Sequence, residues 1–95
     1  MVGIADGAFY HCTGLKELIF PESLHFIGNY AFLECTGLEF IDFPANLFSI
    51  GGAAFYGIED LSVIVAPGSL AEEWAIKNNV HYDHKEIEYL PNDYA

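Results

Sequence analysis

The segment Ala8-Phe9-Tyr10-His11-Cys12-Thr13-Gly14-Leu15 returns further along the chain as Ala31-Phe32-Leu33-Glu34-Cys35-Thr36-Gly37-Leu38. The same register continues a third time, from Ala54 to Leu61, at the same interval and without a gap. A fixed period of this kind is typical of a supersecondary unit that cannot bury its own apolar edge, so that successive units stack. The repeat therefore predicts an array of coils around one continuous core.

Each repeat contains the pattern of two short strands separated by turns. The stretch from Leu15 to Phe20 predicts a strand with Leu18 and Phe20 facing inward and Ile19 facing outward. Pro21 ends that strand, because proline lacks the N–H that a sheet would use. A second extended segment covers residues 24–27. Like residues in successive repeats predict ladders through the core: Ile4, Ile27 and Ile50; Phe9, Phe32 and Phe55; Cys12, Cys35 and Ile58; Leu18, Ile41 and Ile64; Phe20, Phe43 and Ala66.

The repeated pattern I-G-x-x-A-F-x-x-C-x-x-L-x-x-I-x-F-P resembles the BspA-type leucine-rich repeats, which are found in bacterial surface and secreted proteins. The resemblance covers residues 1–67. It implies a leucine-rich-repeat solenoid: a β-rich, right-handed coil of about three 23-residue turns, with short helical turns between the strands and a C-terminal capping helix. It also implies a location at the cell surface or outside the cell, although residues 1–20 do not read as a signal peptide.

The chain after Pro67 predicts a cap over residues 68–85, followed by a loose acidic tail over residues 86–95. Ser69 and Glu72 have the spacing of a reciprocal helix capping box, and Asn78-Asn79 can end the helix. Leu70, Ala71, Trp74 and Ala75 share the face that would cover the last coil. The first coil has no such lid. We therefore expect either a C-terminal piece of a longer protein or self-association through this uncapped end.

Composition excludes several classes of partner. Fourteen acidic residues against three basic ones give the 95-residue chain a formal charge of -11, which repels nucleic acid and anionic lipid surfaces. The apolar runs are shorter than the roughly 20 residues that a membrane-spanning helix needs. The sequence therefore predicts neither nucleic-acid binding nor membrane insertion.

Cys12 and Cys35 allow two interpretations: a redox or metal site that includes His11, or two rungs of a packed column. Ile58 in the third rung favours packing, because a site that uses thiolate chemistry does not accept isoleucine. The group His81, Asp83 and His84 raises a weaker metal hypothesis. The chain contains none of the common nucleophile or phosphate-loop motifs. We therefore expect a non-catalytic protein without a cofactor or a metal.

The outward side chains of the main sheet are the predicted binding surface: Glu17, Ile19, Phe40, Asp42, Val63 and Val65. An exposed apolar patch flanked by carboxylates is typical of an interaction site. The partner would be a host or neighbouring-cell surface protein, and the module would act in adhesion. A smaller candidate surface on the opposite side contains His25, Phe26, Phe48 and Tyr30. The alternative function is a structural spacer or self-assembling repeat unit.

Overall fold

The computed structural model describes residues 2–85 of the chain, so the predicted acidic tail lies outside the described residues. Its backbone winds between two parallel sheets. One sheet contains β1 (Val2–Ile4), β3 (Leu24–Ile27) and β5 (Ser49–Ile50), in that order. The other contains β2 (Glu17–Ile19), β4 (Phe40–Asp42), β6 (Ser62–Val65) and β7 (His81–His84), in that order. The predicted repeat solenoid is confirmed.

The phenylalanine column forms the centre of the core. The rings of Phe9, Phe32 and Phe55 stack face to face, with 5.1 Å between the centroids of each neighbouring pair. This distance is close to the 4.7–4.9 Å that separates hydrogen-bonded strands, so one ring fits in each coil. The Ile4, Ile27 and Ile50 column is also confirmed, since these residues are partners in the register of the smaller sheet.

Each coil uses the left-handed backbone conformation at two positions, and sequence reasoning did not identify either. One column has φ values of 63°, 60° and 54° at Gly7, Tyr30 and Ala53, and the other has 59°, 58° and 85° at His11, Glu34 and Gly57. Glycine adopts this conformation without a steric cost, whereas a residue with a Cβ adopts it only at a cost in free energy. Over the three coils, the tight turns therefore impose backbone strain at four non-glycine positions, His11, Tyr30, Glu34 and Ala53.

Helix α1 (Leu70–Lys77) covers the last coil, as predicted. Ala71 and Ala75 are fully buried, and the Trp74 ring lies against Phe43 and Phe55, with centroid distances of 5.6 and 5.3 Å. Ser69 caps the helix by accepting a hydrogen bond from the Glu72 N–H at 3.2 Å. The helix thus extends the aromatic core by one more ring and closes it.

The capping box differs from the prediction in one bond. The Glu72 carboxylate accepts a hydrogen bond from the Gly68 N–H at 2.8 Å rather than from that of Ser69, whose N–H bonds to Ala66. Its other oxygen contacts the His84 ring on β7. These contacts, His84 first, hold the pKa of the Glu72 carboxyl below its ordinary value. Glu72 therefore joins the start of the helix to the last strand.

Replacing Ala53 by glycine tests the strain in the turns. Ala53→Gly is expected to raise the free energy of unfolding by up to about 1.5 kcal/mol. The left-handed conformation costs a residue with a Cβ about 1–2 kcal/mol, and the greater freedom of unfolded glycine offsets about 0.5–1 kcal/mol of this. Ala8→Gly is the control, because Ala8 does not have a positive φ, and it should lower stability. Urea denaturation measures both; a destabilised Ala53→Gly variant would contradict the interpretation.

Acid should release the contact that Glu72 makes with His84. A carboxyl whose pKa is lowered by folding stabilises the protein above its unfolded pKa of about 4.3, and this contribution disappears as the pH falls through the lower folded pKa. Wild type should therefore melt at a higher temperature than Glu72→Gln at pH 6, and the difference should shrink towards pH 3. Glu73→Gln, one residue further along, is the matched control. An equal gap between wild type and Glu72→Gln at every pH would contradict the role of Glu72.

Candidate functional site

The outer face of the larger sheet presents two rows of side chains, which the parallel register defines. The first row contains Glu17, Phe40, Ser62 and His81, and the second contains Ile19, Asp42, Ile64 and Asp83. The intervening residues Leu18, Ile41, Val63 and Tyr82 are partners in the same register and pack on the core. Glu17, Ile19, Phe40 and Asp42 therefore occupy the outer face, where the sequence placed them.

The prediction that Val63 and Val65 face outward is wrong. Val63 is 1% exposed and Val65 is completely buried. Leu18 pairs with Ile41 in the register of the repeat, whereas Ile41 pairs with Val63, one residue before the Ile64 that a constant repeat length requires. Because side chains alternate along a strand, this shift by one residue turns every side chain of β6 to the other face.

The same shift corrects two of the predicted columns. Val63 rather than Ile64 continues the column of Leu18 and Ile41, and Val65 rather than Ala66 follows Phe43. Ser62 and Ile64 are the outward residues that the gap-free alignment missed. The signal in the sequence was Ser62, the single polar residue of the segment 62–65: if it faces solvent, Val63 and Val65 face inward, because side chains alternate along a strand.

Three apolar side chains surround Asp42 on this face. Ile19 and Ile64 flank it on the neighbouring strands, and Phe40 precedes it by two residues on β4. Ile19 is 67% exposed, while Phe40 and Ile64 are partly buried. We call Ile19, Phe40 and Ile64 the apolar triad. It offers an apolar contact area on a continuous sheet surface.

The charges around the triad are mostly negative. Lys85 reaches across from the end of β7 and contacts the Asp42 carboxylate. Glu17 lies in the row of Phe40, and Asp83 lies in the row of Ile64 next to His81, whose ring nitrogen is 3.6 Å from the Asp83 carboxylate. Such a surface is complementary to a partner with apolar and basic side chains.

Cys12 and Cys35 are free thiols, and their environment is that of packing residues. Cys35 is fully buried, and its Sγ donates a hydrogen bond to the Phe9 carbonyl oxygen of the preceding coil at 3.0 Å. Burial raises the pKa of the Cys35 thiol, so the reactive thiolate is disfavoured. His11 is exposed and lies 3.5 Å from the Glu34 carboxylate rather than facing Cys35. The geometry supports the structural interpretation of the cysteine column.

The histidines near the C-terminus point to different places. His81 and Asp83 lie on the outer face of the larger sheet, whereas His84 contacts Glu72 of α1. Within residues 2–85, histidine, cysteine and acidic side chains do not form a cluster of three that could hold a metal ion. The structure therefore separates the residues of the weaker metal hypothesis.

The residues predicted on the opposite side form a smaller aromatic surface. The rings of His25 and Phe48 stack with a centroid distance of 5.0 Å, and Phe26 covers the backbone of Gly3 so closely that a Cβ there would overlap its ring. Phe26, Phe48 and Tyr30 are each at least 40% exposed. Tyr30 lies in the turn after β3 rather than on the strand. Only part of this predicted set therefore shares one face.

The first coil is open along its outer edge. Phe9 is 41% exposed, while its counterpart Phe32 in the second coil is completely buried. Cys12 is half-buried where Cys35 is buried. β1 and β2 are edge strands of their sheets.

In the described part of the chain, the helix is too short and too polar to cross a membrane.

Two neighbouring residues on β6 provide a test of the register. Val63→Lys places a charge in the core and should cost about 4 kcal/mol or more, enough to unfold a small domain. Ile64→Lys places the same charge between Asp42 and Asp83, so stability should change by no more than about 1 kcal/mol. Thermal melting followed by circular dichroism measures both variants. If Ile64→Lys were the less stable variant, Ile64 rather than Val63 would lie in the core, as the gap-free alignment requires.

Comparisons with known proteins agree with this architecture. The model of the BspA type leucine rich repeat region matches residues 2–90, with six copies of its pattern. Neither the comparison with curated proteins nor that with solved structures finds a match. The family match covers the coils, the helix and the last strand, and it agrees with the stacked phenylalanines and the two parallel sheets. The chain therefore belongs to the BspA-type leucine-rich repeat family.

Proposed function

We propose that this protein is a non-catalytic binding module that uses the outer face of its larger sheet to hold another protein. Leucine-rich repeat domains commonly mediate protein–protein interactions. The observation that carries the choice of face is the apolar triad of Ile19, Phe40 and Ile64 around Asp42. Exposed apolar side chains on a rigid sheet gain free energy when a partner covers them.

The charge of the module favours a basic partner surface. The formal charge of -11 speeds the encounter with a positively charged protein and repels an acidic one. Glu17 and Asp83 extend this charge to the rim of the triad. We therefore propose a partner whose contact surface combines exposed aliphatic or aromatic side chains with lysine or arginine.

The cellular role that we propose is adhesion at a cell surface or in the secreted fraction, with a host or neighbouring-cell surface protein as partner. The support is the family, whose members are known as surface or secreted proteins. Antibody labelling of intact cells, together with analysis of the culture medium, tests the location. Signal confined to the cell interior would contradict this role.

A double variant tests the binding face. Ile19→Ser/Ile64→Ser removes two members of the triad from the surface and should weaken partner binding at least about tenfold, which corresponds to about 1.4 kcal/mol. Immobilised wild type and variant are exposed to the same extract of surface proteins, and the affinity of each retained protein is then measured. The melting temperature of the variant should stay within a few degrees of that of wild type.

Phe48→Ser is the matched control. Phe48 is 61% exposed and lies directly before β5 of the smaller sheet, so this substitution removes apolar surface of similar size from a different face. Partner binding that survives in Ile19→Ser/Ile64→Ser but disappears in Phe48→Ser would transfer the function to the smaller sheet. Binding retained by both variants would reject both surfaces.

Self-association is a second candidate function, which the open first coil favours. One face of the Phe32 ring is covered by Phe9 of the preceding coil, whereas the corresponding face of Phe9 is exposed. Unpaired edge strands also provide backbone groups that a second copy can pair with. Sedimentation velocity over a concentration series tests this alternative. A monomer at all concentrations would reject it, whereas a dimer that Phe9→Asp abolishes would support it.

A further inference from the structure

A cleft of about 400 Å³ opens where the coil stack meets the cap. Phe55, Leu61, Trp74 and Val80 line it with apolar side chains, and the backbone from Ala53 to Gly57 forms one wall. The lining residues carry no charged side chain, which sets the cleft apart from the acidic surface elsewhere. None of its lining residues belongs to the two rows of side chains on the outer face of the larger sheet.

Successive coils of this protein are joined in the turn region by three backbone hydrogen bonds at alternate residues. The N–H groups of Gly7, Phe9 and His11 donate to the carbonyl oxygens of Asn29, Ala31 and Leu33 at 2.9, 2.7 and 2.8 Å. The same bonds join the second coil to the third: Tyr30, Phe32 and Glu34 donate to Gly52, Ala54 and Tyr56 at 3.0, 2.7 and 2.8 Å. Each coil therefore presents three donors to the coil that follows it.

The third coil presents the equivalent donors to the cleft. One repeat onward from Tyr30, Phe32 and Glu34, the corresponding residues are Ala53, Phe55 and Gly57, all of which line the cleft. Among residues 2–85, none of these three N–H groups has a hydrogen-bond acceptor. The last helix carbonyls do not supply one, because those of Trp74, Ala75 and Ile76 already accept from the N–H groups of Asn78, Val80 and Asn79.

The cap replaces the aromatic ring of a further coil but not the backbone acceptors of that coil. Trp74 covers the Phe55 ring where the next coil would place a phenylalanine, and it meets that ring edge-on, with 5.3 Å between the centroids and 64° between the planes. The side-chain core is therefore closed, while the row of backbone donors beside it stays open. Ala53 and Gly57 are exposed, so water reaches this row of donors in the free protein, and a ligand that covers the cleft must replace that water with acceptors of its own.

We propose that this cleft binds a short, uncharged polypeptide segment of a partner protein, whose alternate carbonyl oxygens accept hydrogen bonds from the N–H groups of Ala53, Phe55 and Gly57. The two coil-to-coil contacts within the chain are the template. In each of them, a five-residue segment of one coil accepts hydrogen bonds from the three equivalent N–H groups of the coil before it. This inference does not depend on the proposed binding face.

Two features define the chemistry of the segment. Trp74 already fills the aromatic position, so the segment carries small side chains where it faces Phe55 and Trp74. The chain has a formal charge of -11, so an acidic segment or a free anion is repelled, whereas peptide carbonyls offer acceptors without a net charge. A neutral segment rich in glycine and alanine fits both conditions.

Nuclear magnetic resonance on the isotope-labelled full chain tests this proposal directly. In the free protein, the amides of Ala53, Phe55 and Gly57 should exchange with solvent at least about tenfold faster than those of Tyr30, Phe32 and Glu34, which have acceptors. If the two sets exchange equally slowly, the donors are already covered and the proposal is wrong.

The probe is the acetylated and amidated peptide Gly-Gly-Ala-Ala-Ala-Tyr-Gly, which is the segment from residues 51–57 with alanine in the phenylalanine position. It should shift the amide protons of Ala53, Phe55 and Gly57 downfield with one common dissociation constant of about 1 mM or tighter. The amides of the preceding coil should not move. Absence of saturable shifts at these residues would overturn the proposal, as would equal shifts with the same concentration of acetate, which would identify an anion site.

A matched pair of variants separates the cleft from the binding face. Ile58→Trp narrows the cleft that Ile58 lines and should abolish the peptide shifts, whereas Ile19→Trp on the outer face of the larger sheet should leave them unchanged. Loss of the shifts in Ile19→Trp alone would place the peptide on the sheet and reject the cleft. If Ile58→Trp fails to fold, the exchange and titration of wild type still decide the question.

Discussion

The stacking of one phenylalanine ring per coil is the interaction on which the other features depend. Phe9, Phe32 and Phe55 stack with their ring planes within 4° of parallel, and the Trp74 ring from the helix closes the column edge-on, at 64° to Phe55. A planar ring fills the distance between hydrogen-bonded chains, so each coil is held at the spacing that its backbone hydrogen bonds also require. Packing and hydrogen bonding therefore favour the same separation.

This constraint explains the strained turns and the location of the open donors. To bring a ring back to the same place in every coil, the backbone turns tightly on either side of it, and it does so with left-handed residues such as Tyr30 and Glu34. The alternate N–H groups beside the ring all point along the stack towards the next coil. At Phe55 the stack of coils stops, so the ring gains Trp74 while the neighbouring N–H groups of Ala53 and Gly57 face a cleft.

The two ends of the stack consequently differ in chemistry. At the first coil, the exposed groups are the apolar ring of Phe9 and the edges of the two strands β1 and β2. At the last coil the ring is covered, and the open groups are backbone donors in an uncharged cleft. The outer face of the larger sheet is a third surface, in which Ile19, Phe40 and Ile64 surround Asp42. One repeated unit thus produces three surfaces of different chemistry.

The sequence by itself determined the solenoid, the strands, the cap helix and the packing role of the cysteines, because columns such as Phe9, Phe32 and Phe55 encode stacking directly. Of the six side chains that it placed on the outer face of the larger sheet, Glu17, Ile19, Phe40 and Asp42 lie there. Only the tertiary structure decided the orientation of β6, because the unbroken repeat from Pro44 to Pro67 hides a shift of one position in the strand between Leu61 and Ala66. Only the tertiary structure also located the open donors, since a backbone N–H has no signature in the sequence and its partner depends on the chain beside it.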